Sequence, residues 1–133
     1  MPGTTERVPI RTSQDVVVVR QRVRTLAAAQ GLSLVDQTKA VTAASELARN
    51  TLEHGKGGEA MLESVANGAR RGIRLTFVDE GPGIADIAAA LKDGFSTGTG
   101  MGFGLPGARR LMNEFSIDSA PGRGTRVVVV RWK

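Results

Sequence analysis

The chain has 133 residues, with 18 lysines and arginines against 13 aspartates and glutamates, a formal net charge of +5. It contains no cysteine, which excludes a thiol nucleophile, a disulfide framework and a cysteine-based zinc site, and it is long enough for one domain with a core of its own. Four phenylalanines, one tryptophan and no tyrosine leave few platforms for base stacking, and the basic residues are scattered rather than massed.

An acidic protein or a nucleotide therefore suits the charge better than nucleic acid. Apolar runs such as residues 16–19 and 127–130 are too short to span a bilayer, and the first six residues have no apolar signal core. The expectation is a soluble, cytoplasmic protein with no membrane partner. It is expected to form one domain over residues 1–133, the first five being a flexible tail.

In chain order, residues 6–11 read as a short strand. Thr12-Ser13-Gln14-Asp15 fits a capping box, and a helix with apolar positions Val16, Val19, Val23, Leu26 and Ala27 follows until Gly31. Ser33-Leu34-Val35-Asp36 opens a longer helix through about His54, with Gly55, Gly57 and Gly58 ending it. Its core face is expected to carry Leu34, Val41, Ala48 and Leu52. Residues 59–66 and 72–79 read as strands joined by an Asn67-Gly68 hairpin turn.

Residues 86–92 read as a short helix. A glycine-dense loop, residues 94–104, runs into a helix over 105–113. Residues 115–119 and 125–132 then form a hairpin around Pro121-Gly122-Arg123-Gly124. The expected fold class is α+β: a two-layer α/β sandwich with a mixed, mostly antiparallel sheet and helices on one face.

Three clusters carry chemistry. On the long helix Glu46, Asn50 and His54 recur every four residues and address one groove. An amide oxygen such as that of Asn50 is a hard neutral ligand for Mg²⁺, and Glu46 one turn earlier can accept a hydroxyl proton. An ordinary solvent face reads equally from these residues alone.

The second cluster is Asp79-Glu80-Gly81-Pro82-Gly83-Ile84. By alternation Asp79 shares the apolar face of Ile73, Leu75 and Phe77, where a carboxylate needs donors. An adenine amino group is such a donor, whereas guanine would offer a carbonyl oxygen. A purely structural turn is the alternative.

The third cluster is Gly100-x-Gly102-x-Gly104 before the helix, a flexible backbone that can approach phosphate closely. It is neither a Rossmann fingerprint nor a Walker loop, because no Gly-Lys-Ser/Thr ending and no parallel βαβ unit accompany it. Arg109, Arg110 and Lys92 are candidate cations near the phosphates.

In this order and spacing, Glu46…Asn50, Asp79-x-Gly81-x-Gly83 and Gly100-x-Gly102-x-Gly104 resemble the N, G1 and G2 boxes of the GHKL ATPase and kinase superfamily. The resemblance implies the Bergerat sandwich, ATP and Mg²⁺ as cofactors, Asn50 as Mg²⁺ ligand and Glu46 as general base. It implies Asp79 as the adenine anchor, with Gly81 and Gly83 beside it. Gly100, Gly102 and Gly104 would form the ATP lid and Thr125 would lie near the adenine.

Segments 45–50, 93–97 and 104–115 resemble the RsbT-type switch kinases of the stressosome. Such kinases phosphorylate serine or threonine on STAS-domain scaffold or antagonist proteins, then activate a PP2C-type phosphatase. Glu53-His54-Gly55 is similar instead to the anti-sigma-factor kinases, which leaves that type as an alternative. A non-catalytic nucleotide-binding switch is the other. Oligomeric state is not legible.

Overall fold

The computed structural model describes residues 5–91 and 105–133. Strands β1 (Thr5–Ile10), β2 (Gly58–Asn67), β3 (Arg70–Asp79), β4 (Glu114–Ser119) and β5 (Thr125–Trp132) form one sheet in the order β1-β2-β3-β5-β4. Each of these pairings is antiparallel. Helices α1 (Ser13–Ala29) and α2 (Leu34–Glu53) pack side by side and cover one face of the sheet, and α4 (Leu105–Leu111) packs against α2. The short α3 (Ile87–Ala90) follows β3. The expected α+β sandwich with helices on one face is therefore present.

Local chemistry sets the boundaries. Thr12 caps α1: its hydroxyl accepts from the Asp15 N–H at 3.3 Å, and the Asp15 carboxylate accepts from the Thr12 N–H at 3.1 Å. From there Val16, Val19, Val23 and Ala27 point into the core. Ser33 caps α2 by accepting from the Asp36 N–H at 3.1 Å. The Asp36 carboxylate pairs with Arg131 of β5 at 2.8 Å, tying the helix start to the sheet.

The core stripe of α2 differs from the sequence expectation. Val41 and Ala48 are buried, but Leu34 is 74% exposed and the stripe runs through Ala40, Ala44, Leu47 and Thr51. Leu34 is the first residue of the helix and faces solvent, while the Ser33 cap and the Asp36–Arg131 pair fix that turn. The small alanines let α2 lie close on the strands, and this closeness carries Asn50 inward: it is 7% exposed.

The β2–β3 turn also differs by one residue. Asn67 pairs with Arg70, so the two turn residues are Gly68 and Ala69, with Gly68 at φ +62°. Glycine at the first central position is the signature of a type II′ hairpin.

Cross-strand register places Ile73, Leu75 and Phe77 of β3 opposite Ser64, Leu62 and Ala60 of β2. Val127 and Val129 flank the same face from β5. On the opposite face Glu63 lies across from Arg74, and two hydrogen bonds of 3.0 Å join them. Among the described residues no helix is long and apolar enough to cross a membrane.

Candidate functional site

One end of the sandwich holds a cavity of about 290 Å³. Its lining combines the last turn of α2 (Asn50, Glu53, His54, Gly55), the end of β3 (Asp79), the following turn (Pro82, Gly83, Ile84) and the start of β5 (Thr125). The volume sits at the lower end of the roughly 300–1,000 Å³ of small-molecule sites, enough for the flat base of a larger ligand.

Asp79 is held from several sides. It is 7% exposed, and its Oδ1 accepts from the Gly81 N–H at 2.9 Å. Burial pushes the carboxyl above the usual aspartate range, and the backbone N–H groups of Gly81 and Thr125 partly oppose that shift. Among the described residues no cation pairs with it. A desolvated acceptor facing a cavity suits a neutral donor such as an exocyclic amino group.

The turn after Asp79 depends on glycine. Gly83 adopts φ +78°, which a side chain rarely tolerates, and a Cβ there would run into the Ala120 carbonyl. Gly124 packs so tightly on Asp79 and Glu80 that a Cβ would fall 2.9 Å from the Glu80 Cα. Ser119 stitches these pieces together. Its hydroxyl accepts from the Ile84 N–H at 2.8 Å, donates to the Gly124 carbonyl at 2.9 Å and lies 2.8 Å from the Thr125 hydroxyl.

Asn50 supplies the other polar pole of the cavity. Its Oδ1 is buried and has no hydrogen-bond partner among the described residues. A buried amide oxygen left unpaired costs about 1–3 kcal/mol, so the position marks a ligand contact more than a packing element. The donor chemistry fits a hard cation such as Mg²⁺, which takes neutral oxygens and keeps most of its shell as water and phosphate.

Glu46 lies one turn earlier, half-exposed, with its Oε1 3.3 Å from Arg49 Nη1, and it is not among the residues lining the cavity. The structure thus brings together Asn50, Asp79, Gly83 and Thr125 as cavity walls, with Gly81 as a donor to Asp79. Glu46 stands beside them. Gly100, Gly102, Gly104 and Lys92 lie outside the described residues. Arg109 and Arg110 are exposed on α4.

Sequence reasoning missed Gly55 and Ser119 as parts of the site. Ser119 had a signal in the closing hairpin, whose register sets it opposite Thr125. Gly55 was read only as a helix stop.

An antiparallel sheet covered by helices on one face, with a buried amide and a buried carboxylate facing one cavity, defines an ATPase-type nucleotide-binding sandwich. Residues 35–133 match the family described as histidine kinase-, DNA gyrase B- and HSP90-like ATPase. The serine/threonine-protein kinase RsbT of Bacillus subtilis (strain 168) is 44% identical over 125 residues, 94% of each chain. An anti-sigma F factor of Thermoanaerobacter sp. (strain X514) is 30% identical over 128 residues, covering 90% of this chain and 87% of the relative. The chain belongs to this ATPase family, in the branch that contains the RsbT-type kinases.

Proposed function

We propose that the chain is an ATP-dependent serine/threonine-protein kinase acting on a STAS-domain scaffold or antagonist protein. After transfer it switches partners and activates a PP2C-type phosphatase, in a cytoplasmic pathway of sigma-factor control. The observation that carries the reading is the buried Asn50 Oδ1, without a hydrogen-bond partner among the described residues, in the same cavity as Asp79, which pairs with no cation among them. The kinase relative supports the reaction type.

In this reading the adenine amino group donates to the Asp79 carboxylate, with Thr125 beside the ring. Asn50 would hold Mg²⁺, which when bound neutralises phosphate charge. Glu46 takes the proton of the incoming hydroxyl. The hydroxyl oxygen bonds to the γ-phosphorus as the bond to the β–γ bridging oxygen breaks, and ADP leaves with that oxygen. The glycine boxes at Gly100, Gly102 and Gly104 are assigned to the phosphates by their sequence.

The test is transfer of γ-labelled phosphate from Mg-ATP to a STAS-domain protein. Label on a serine or threonine is expected, and it disappears in Asn50→Ala and Glu46→Gln. Labelling that survives both substitutions removes the site assignment. The anti-sigma F factor relatives favour a second reading, a kinase that also sequesters a sigma factor. Nucleotide-dependent co-purification of a sigma factor, instead of a phosphatase, selects it.

A further inference from the structure

We infer that Gly55 is a positioning residue that fixes the separation between the Asn50 amide and the Asp79 carboxylate, and through it the preference for adenine. The inference rests on the ATP reading above and assigns the spacing of its two grips to one residue. Gly55 is buried at the join between α2 and the β2 strand. Its N–H donates to the Asn50 carbonyl at 3.1 Å, which ties it to the residue offering the free amide. Its other side lies directly on the Asp79 turn.

A Cβ placed on Gly55 would fall 2.5 Å from both the Asp79 Cβ and Oδ2, and would overlap Cγ. Rotating Asp79 about χ1 moves Cγ and the oxygens but leaves Cβ where the β3 backbone puts it. A rotamer change therefore does not relieve the conflict. The next contact is as close: a Cβ on Gly81 would fall 2.7 Å from the Gly55 Cα and carbonyl oxygen. Two backbones meet here with no side chain between them.

The geometry requires glycine for space, not for backbone conformation, because Gly55 is absent from the positive-φ positions while neighbouring Gly57 is among them. One methyl group at 55 pushes the last turn of α2 away from the Asp79–Gly81 turn. Asn50 travels with the helix and Asp79 with the sheet, so the two ends of the ligand no longer meet their partners at once. Interiors packed at crystal density transmit such a displacement instead of absorbing it.

The experiment is a comparison of equilibrium dissociation constants for ATP and GTP, by displacement of a fluorescent nucleotide, in the full chain and in Gly55→Ala and Asp79→Asn. Folded fraction is checked by circular dichroism. The expected result is about tenfold weaker ATP binding in Gly55→Ala, equivalent to about 1.4 kcal/mol, with GTP affinity nearly unchanged. A purely structural role would weaken both nucleotides alike and leave their ratio intact, which overturns the inference.

Asp79→Asn separates the adenine contact from the role of Gly55. If it leaves the ATP-to-GTP ratio untouched, the adenine reading itself fails. If it narrows the ratio and Gly55→Ala does not, only the role of Gly55 fails. Should Gly55→Ala not fold, Gly55→Ala combined with Asp79→Gly removes the three atoms nearest the new methyl. The double variant is expected to regain the melting temperature of Asp79→Gly alone, and failure to regain it overturns the inference.

Discussion

Glu63 and Asp79 lie on neighbouring strands of one sheet, and their charges are treated in opposite ways. Glu63, on the outer face, receives two hydrogen bonds from Arg74 directly across the strand pair. That ion pair, led by the hydrogen bond and opposed by partial burial, holds its carboxyl below the usual glutamate range. Asp79, at the cavity end of the inner face, receives backbone N–H groups but, among the described residues, no cation, and burial pushes its carboxyl up. On the outer face the Glu63 charge is met within the sheet itself. The cavity end carries a desolvated carboxylate and, on α2, a buried amide oxygen unpaired among the described residues. Groups left unsatisfied in this way cluster where a ligand completes them.

The largest expected effect breaks the contrast at Asn50. Asn50→Ala is expected to lower the rate of phosphate transfer by roughly a hundredfold or more, since metal-assisted charge stabilisation is worth several kcal/mol. The melting temperature stays level or rises, because a buried orphan oxygen is removed. Loss of both activity and fold would place Asn50 in the packing instead. Next, Asp79→Asn weakens ATP binding by about tenfold to a hundredfold, the range for one hydrogen bond to a charged group. Calorimetric titration measures it. Glu63→Gln changes neither, and costs about 1 kcal/mol or less of stability in a denaturant titration.

The two carboxylates also predict opposite pH slopes. The Asp79 value is raised in the folded state, so this group binds more protons folded than unfolded. Its contribution to stability is full below about 3.8, the ordinary aspartate value, and is lost as pH rises through the folded value. Glu63 is lowered, so its contribution is full above 4.5 and is lost as pH falls through its folded value. Unfolding free energies followed from acid to neutral pH should therefore rise less steeply in Glu63→Gln than in the parent chain. In Asp79→Asn they should rise more steeply. Identical slopes in all three proteins would dissolve the comparison.

Much of this was legible in the sequence because the signals were local. Thr12 and Ser33 announced both long helices by capping chemistry. The alternation of Ile73, Leu75 and Phe77 correctly put Asp79 on the inner face. The exposure of Leu34 was not legible, because an apolar residue at a helix start follows helical periodicity whether or not it faces the core. Nor was the burial of Asn50, which depends on how closely the alanines of α2 let it approach the strands. Gly55 and the link from Ser119 to Ile84 escaped notice for the same reason: they are contacts across the fold, 24 positions apart for Gly55 and Asp79 and 35 for Ser119 and Ile84. The roles of Glu46 and of Gly100, Gly102 and Gly104 remain sequence assignments carried by the resemblance.

We propose that the Asn50 amide oxygen is a metal-ligand position beside a base pocket anchored by Asp79. The most direct measurement follows the NMR signal of the Asn50 side-chain amide during nucleotide titration. A large shift is expected with Mg-ATP at saturation and a much smaller one with ATP and a chelator. An equal shift without the metal, or none at saturating Mg-ATP, would contradict it.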